Sequence, residues 1–248
     1  IMVFLDDTGS MGRIPESIVK NELRTLMNTI IDNGVAHPQV LFGSINDHHC
    51  ISTPIQVGQF ESGTEELDKW LSGVGLQGGG GGQDMESYLL AWQVAGRHTS
   101  IDCFEKRNQK GFLFTIGDEK SWDCLSADVQ KKIFGYEKAE DVTDKQLLEE
   151  AQRLYNVYHI HVNEASYKDD PDVLGYWQQM LGERLIVLND YHAICATIAT
   201  LIAVQHGADM KSVVSKFDAK VAGIVTTALA KVTTTIVATN DDGIIKLD

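Results

Sequence analysis

The sequence predicts a doubly wound α/β fold: a mostly parallel central sheet, one antiparallel edge strand, and helices on both faces. Three observations carry this prediction. Short uninterrupted apolar runs, of which the opening IMVFL is the first, suit strands buried on both faces. Each run leads into a polar or glycine-containing loop and then into a stretch of helical period. One pair of β-like runs is separated only by the polar turn Asp47-His48-His49, which reads as an antiparallel hairpin at a sheet edge. Strands alternating with helices need crossover connections, and these pair the strands in parallel under covering helices.

The elements follow in order. Residues 1–5 form the first strand, and the polar turn Asp6-Asp7-Thr8-Gly9-Ser10 ends it. Pro15 suits a first helical turn, and Ile14, Ile18, Leu23, Leu26, Met27, Ile30 and Ile31 recur at helical spacing up to Gly34. Residues 39–46 and 51–57 are the two strands of the hairpin. Ser62 with Glu65 three positions on forms a capping box, opening a short helix that runs to Leu71. Five glycines, residues 78–82, precede Asp84 and the apolar stripe Met85, Tyr88, Leu89, Trp92. Residues 111–116 are a buried strand ending at Gly117-Asp118-Glu119. Ser126 and the Thr143/Gln146 pair each open a helix. Residues 156–162 are a strand, Asp170-Pro171 starts a helix, residues 185–188 are a strand, and Asp190 caps a helix reaching about Gln205. From Gly207 the pattern changes. Val213, Phe217, Val221, Ile224 and Val225 keep helical spacing, and residues 232–239 turn β-like. The expected division is therefore a domain over 1–206 and a C-terminal extension over 207–248.

Length and composition set outer bounds. The 248 residues suffice for one well-packed domain, and the 43% apolar and 23% charged fractions are those of a globular chain. The net charge of −14 repels nucleic-acid phosphates and anionic lipid, so neither is expected as a partner. Cys50, Cys103, Cys124 and Cys195 are widely spread without a CxxC pair, which fits a reducing, cytoplasmic setting. No membrane span is expected, because the longest nearly apolar stretch, residues 221–238, is Thr-rich and broken by Lys231. The chain begins inside an apolar run, so a preceding segment is expected.

In a parallel sheet, ligands gather beyond the carboxyl ends of the strands. Asp6, Thr8 and Ser10 follow the first strand, Asp84 follows the glycine run, and Asp118 follows the strand at 111–116. All are hard oxygen donors, the kind that Mg²⁺ or Ca²⁺ prefers. A D-x-T-x-S turn points alternate side chains at one centre, and clustered carboxylates repel each other unless a cation stands between them. Asp84 taken alone also reads as a helix N-cap. His159 and His161 share one strand face and read as buried core histidines, and contiguous Asp47-His48-His49-Cys50 is a poor zinc site.

The turn after the first strand, Val3-Phe4-Leu5-Asp6-Asp7-Thr8-Gly9-Ser10-Met11, resembles that of the von Willebrand factor A family. The family's metal ion-dependent adhesion site is written DxSxS, and Thr8 here replaces its first Ser. The glycine run leading into Gln83-Asp84-Met85-Glu86 is similar to the family's GGGDxPE-like second loop, without its Pro. Phe114-Thr115-Ile116-Gly117-Asp118 stands where the family supplies a third-loop Asp. The resemblance covers about residues 1–206. It implies Mg²⁺, with Mn²⁺ or Ca²⁺ as alternatives, coordinated octahedrally with one position open to an Asp or Glu of a partner protein. Such a partner would be an AAA-type ATPase or an adhesion target. The second-loop ligand is Asp84, Glu86 or a water. A non-enzymatic protein-interaction module is therefore expected. The competing reading is a Mg²⁺-dependent phosphotransferase or hydrolase using the same acids, with Lys120 in the lysine role. It is disfavoured because the second acid, Asp7, sits at i+1 rather than i+2, and no GxxxxGK[ST], GxSxG or strand-linked GxGxxG occurs.

Overall fold

The computed structural model describes residues 1–80 and 82–241, and within them the side chains of all but residues 24, 25 and 233–241. The strands are β1 (Met2–Asp6), β2 (Leu41–Ile45), β3 (Ile55–Val57), β4 (Met85–Glu86), β5 (Gly111–Gly117), β6 (Lys120–Ser121), β7 (Cys124–Leu125), β8 (Val142–Thr143), β9 (Tyr155–Val162) and β10 (Leu185–Leu188). Six of them make the main sheet in the order β10-β9-β5-β1-β2-β3. All pairings in it are parallel except β2 with β3, where Gly43 faces Val57 in antiparallel register. The expected fold class is therefore the observed one. Every residue of β1, β2 and β5 is buried, as their apolar runs require.

Strand alternation divides the core in two. Val3, Leu5, Phe42, Phe114 and Ile116 face one way and Met2, Phe4, Leu41, Leu113 and Val157 the other. The first face is covered by α1 (Ile14–Ser17), a π-type turn (Ile18–Glu22), α2 (Leu23–Asp32), α3 (Thr64–Gly73) and, later in the chain, α9 (Ile194–Gln205). The second is covered by α4 (Tyr88–Arg97), α7 (Asp144–Leu154) and α8 (Pro171–Leu181). Two short helices, α5 (Asp102–Arg107) and α6 (Ala127–Phe134), complete that side. The Thr143/Gln146 capping box forms as read, and Ser126 and Asp170 cap their helices.

Three local readings need correction. Helix α3 begins at Thr64 with Gly63 as its cap and no side-chain bond, so the Ser62/Glu65 box is not made. The shift of one residue puts Glu66 in the third helical position, where its carboxylate folds back over Gly63. Helix α4 begins at Tyr88 after Ser87, so Asp84 is not its N-cap. Residues 232–239 are not β-like: they continue the helix α11 (Ala219–Asp241), which follows the short α10 (Met210–Val214). Their β-branched content misled because tertiary packing overrides propensity. Val225, Leu229 and Val232 lie on one helical face and are buried in the first core, while α11 packs on α9 and β10. The threonines are accommodated by back-bonding: Thr226 and Thr227 hydroxyls donate to the carbonyls of Ala222 and Gly223 at 2.7 and 2.9 Å. With α2, α10 and α11 around it, α9 is buried from Ile194 to Ala203. Its burial is an internal matter: no helix among the described residues is long and apolar enough to cross a membrane.

Candidate metal centre

Adjacent strands β1 and β5 send their connections in opposite directions across the sheet, β1 toward β2 and β5 toward β9. Beyond their carboxyl ends the two outgoing loops part and leave a crevice, the usual ligand position of a doubly wound sheet. Asp6 is the last residue of β1, and Thr8 and Ser10 follow in a turn that closes as one 3₁₀ turn, Gly9–Met11. Asp118 and Glu119 come directly after β5.

Five oxygens meet there. Asp6 Oδ1 accepts from the Thr8 backbone N–H at 2.9 Å and from the Thr8 hydroxyl at 2.6 Å. The Thr8 and Ser10 hydroxyl oxygens are 3.1 Å apart. Ser10 Oγ lies 2.7 Å from Asp118 Oδ1 and 2.8 Å from Glu119 Oε2, and Thr8 Oγ1 lies 3.3 Å from the same Glu119 oxygen. Asp6, Asp118 and Glu119 each offer a carboxylate oxygen within 4.8 Å of the other two. All three acids and Thr8 are buried, and half-buried Ser10 is the donor most open to solvent.

Burial without a counter-charge dominates the electrostatics. Desolvation, with the charge of Asp118 next, pushes the Asp6 carboxyl up to about 8, against the pull of hydrogen bonds from Thr8 and Tyr88. Desolvation likewise raises Glu119 to about 7 and Asp118 in the same direction. Glu86, 1% exposed at the end of β4, shares a hydrogen bond with the Glu119 carboxyl. Desolvation, then the charges of Asp6 and Glu119, push it up to about 11. Its Oε2 is buried without any partner. Four acids thus crowd one site, and no lysine or arginine pairs with any of them among the described residues. Four carboxyls, one of them with an orphaned oxygen, and two hydroxyls, with no nitrogen or sulfur donor, fit a hard divalent cation.

The surrounding loops are tied to this cluster. Asp7 is not a donor: its carboxylate accepts from Asn46 Nδ2 at 2.7 Å and from the Gln77 N–H at 3.2 Å, pinning the glycine loop. Gly9 N–H meets the Gly79 carbonyl at 2.5 Å, and Gly78, Gly79, Gly80 and Gly82 all have positive φ, which is why glycines stand there. On the other side, Ser166 bonds the Ser10 carbonyl and the Tyr167 N–H donates to Asp118 Oδ2 at 3.1 Å. From below, the Tyr88 hydroxyl donates to Asp6 Oδ2 at 2.6 Å and Trp177 Nε1 to the Glu119 carbonyl at 2.9 Å.

Of the five residues read as ligands, four come together: Asp6, Thr8, Ser10 and Asp118. Asp84 does not join them. The parallel pairing of Met85 with Lys120 sets Asp84 beside Lys120, and its carboxylate takes the Lys120 ammonium at 2.6 Å. Sequence reasoning missed Glu119 as a donor and Tyr88 as a support. For Glu119 the available signal was a second acid beside Asp118. His159 is buried, stacked on Trp177 at 3.5 Å and bonded to Thr115, and desolvation holds both it and His161 below the usual histidine range. Asp47 is spent on the His49 N–H, Trp122 and Gln83, and the only group of three or more metal-ligating side chains among the described residues is the Asp6 cluster. A groove of about 1110 Å³ lies at the opposite end of the sheet, near Ile1, Phe112 and Asn156, and contains none of these donors.

No family model matches the chain, and no curated protein matches it in sequence. Solved structures do. The open conformation of the pilus adhesin SpaC from Lactobacillus rhamnosus GG aligns with a TM-score of 0.52 and 9% identity, over 83% of this chain and 30% of that one. Proximal thread matrix protein 1 (PTMP1) of the mussel byssus, solved with a zinc-occupied MIDAS motif, aligns with a TM-score of 0.51 and 12% identity, over 82% and 46%. This chain therefore spans less than half the length of either protein. At such identity the likeness is one of fold, and that fold is of the von Willebrand factor A type.

Proposed function

We propose that this chain is a divalent-cation-dependent protein-interaction module. In this reading Asp6, Thr8, Ser10, Asp118 and Glu119 hold one Mg²⁺, with Mn²⁺ or Ca²⁺ as alternatives, and Glu86 stands next to them with an oxygen to spare. The bound ion supplies a positive centre for an Asp or Glu side chain of a partner protein. Asp84 acts outside the inner set through Lys120.

One observation carries the reading: two hydroxyls and three carboxylates from loops over a hundred positions apart converge in a buried cluster without a cationic side chain. That arrangement is costly unless a cation neutralises it. The adhesin and matrix neighbours agree with an adhesion target, and an AAA-type ATPase is the other partner class. A cytoplasmic setting belongs to this reading through the four widely spread cysteines, which form no CxxC pair. Residues 1–206 carry the whole site, and residues 210–232 pack on the first core behind it. The competing phosphotransferase or hydrolase reading relies on Asp7 and Lys120, but Asp7 pins the glycine loop and Lys120 is paired with Asp84.

Calorimetric titration of the chain with Mg²⁺ tests the site. Heat of binding is expected for wild type and none for Asp6→Ala; equal heats refute the metal reading. A pull-down whose recovered partner survives EDTA unchanged refutes the carboxylate bridge.

A further inference from the structure

The two aspartates of the cluster are presented in the same unusual way, and it bears on which ion they accept. Each points one oxygen into the cluster and has the other taken by a fixed donor outside it. Asp6 gives Oδ1 to the Thr8 side, while its Oδ2 receives the Tyr88 hydroxyl at 2.6 Å. Asp118 gives Oδ1 to Ser10, while its Oδ2 receives the Tyr167 backbone N–H at 3.1 Å. Neither carboxylate can turn both oxygens inward without losing a hydrogen bond, and for Asp6 that bond is buried, so its loss strands a polar group.

The Tyr88 bond is a built feature. Tyr88 is fully buried in the first turn of α4 and its ring is held edge-on by His159 and Trp177, at 5.1 and 5.3 Å between centroids. Its hydroxyl reaches Asp6 only because residue 117 has no side chain: a Cβ on Gly117 would run into that hydroxyl and lie 2.7 Å from Asp6 Oδ2. A backbone donor such as Tyr167 N–H cannot be varied by substitution, whereas the Tyr88 hydroxyl can.

Small octahedral ions take one oxygen per carboxylate at near-ideal geometry. Ca²⁺ takes six to eight ligands and gathers them by binding carboxylates through both oxygens. We infer that Tyr88 is a specificity-determining residue of this site: by occupying Asp6 Oδ2 it keeps the carboxylate monodentate and so favours Mg²⁺ or Mn²⁺ over Ca²⁺. This rests on the metal reading above. It goes further by naming the ion class and the side chain outside the cluster that selects it.

The test is titration of the full chain with MgCl₂ and, separately, CaCl₂, for wild type and Tyr88→Phe, with thermal unfolding of both in EDTA. Phe keeps the ring and its packing and removes only the hydroxyl. Wild type should prefer Mg²⁺, and in Tyr88→Phe the ratio of Mg²⁺ to Ca²⁺ affinity should fall by about tenfold or more, the usual weight of a donor behind a metal ligand. A role in packing alone would weaken both ions equally, and an unchanged ratio overturns the inference while leaving the metal site standing. Absence of Mg²⁺ binding by wild type overturns the metal reading and the inference together. An independent check needs no variant. In the infrared difference spectrum on Mg²⁺ loading, monodentate binding widens the gap between the two carboxylate stretches. A narrowed gap, the mark of bidentate binding, overturns the inference.

Discussion

Glu86 offers the most direct measure of what the acidic cluster costs the protein in the absence of a cation. Its carboxyl is 1% exposed, has one oxygen without a partner, and sits against Asp6 and Glu119. Its proton is held up to about 11, against an ordinary value of 4.5, chiefly by desolvation. A carboxyl raised in this way stabilises the fold fully below the unfolded value, and that contribution is lost as pH rises toward the folded one. Glu86→Gln places a neutral isostere in the same space, free of this penalty. At pH 7 the wild-type side chain must take up a proton that the unfolded chain has already released. The cost is about 1.4 kcal/mol for each pH unit above 4.5, or about 3 kcal/mol. At pH 9 the same arithmetic gives about 6 kcal/mol. Taking the difference between variants also cancels the buried histidines His48, His159 and His161, whose lowered values give the opposite slope below about 6.5. Urea unfolding in EDTA at pH 5, 7 and 9 is the assay. Glu86→Gln should be the more stable protein at pH 7 and 9, by a margin that widens with pH, and about 3 kcal/mol at pH 7 corresponds to a melting rise of about 6–12 °C. A margin that is flat in pH, or one that favours wild type at pH 9, refutes the claim that Glu86 is buried as a strained acid.

Two further substitutions test neighbouring claims. Gly117→Ala drives a methyl group into the Tyr88 hydroxyl and should destabilise the protein by about 1–3 kcal/mol through overpacking, with a matching loss of Mg²⁺ affinity; unchanged unfolding and affinity would show that the Tyr88–Asp6 contact is dispensable. Leu229→Ala, on the α11 face that enters the first core, should cost about 2–5 kcal/mol in urea unfolding, whereas a change below about 0.5 kcal/mol would mean that α11 is not docked on α9.

The fold was legible because its strongest signals are local. Strands buried on both faces are near-continuous apolar runs, as β1 is up to Asp6 and β5 is apart from Thr115, so they stand out from any amphipathic helix. Caps were legible where a side chain does the capping, as at Ser126, Thr143 and Asp170. Where backbone alone caps a helix, as at Gly63, nothing in the residue types marks the start. The tail failed for a different reason. Valine and threonine prefer strands when nothing else decides. Here a helix already begun at Ala219 and anchored by Val225, Leu229 and Val232 extends through them.

The site divides along the same line between local and long-range information. Asp6, Thr8 and Ser10 were readable because one turn carries all three, and Asp118 because it closes a strand beside β1. What remained hidden depends on pairings between segments far apart in the chain. Asp84 and Glu86 differ by two positions on either end of β4, so the register with β6 decides their fates. Met85 beside Lys120 hands Asp84 to the lysine, and Glu86 beside Ser121 goes to the buried acids. A motif of the form GGGxD cannot contain that register, since Lys120 lies 36 residues further along. The same pairing makes Glu119 a donor, because β6 begins at the next residue and leaves Glu119 between two fixed strands, with its carbonyl held by Trp177 and its carboxylate turned toward Ser10. The short β4–β6 ladder therefore shapes the site as much as the D-x-T-x-S turn does: it sets which of Asp84, Glu86 and Glu119 enter the cluster, and it holds Lys120 on Asp84.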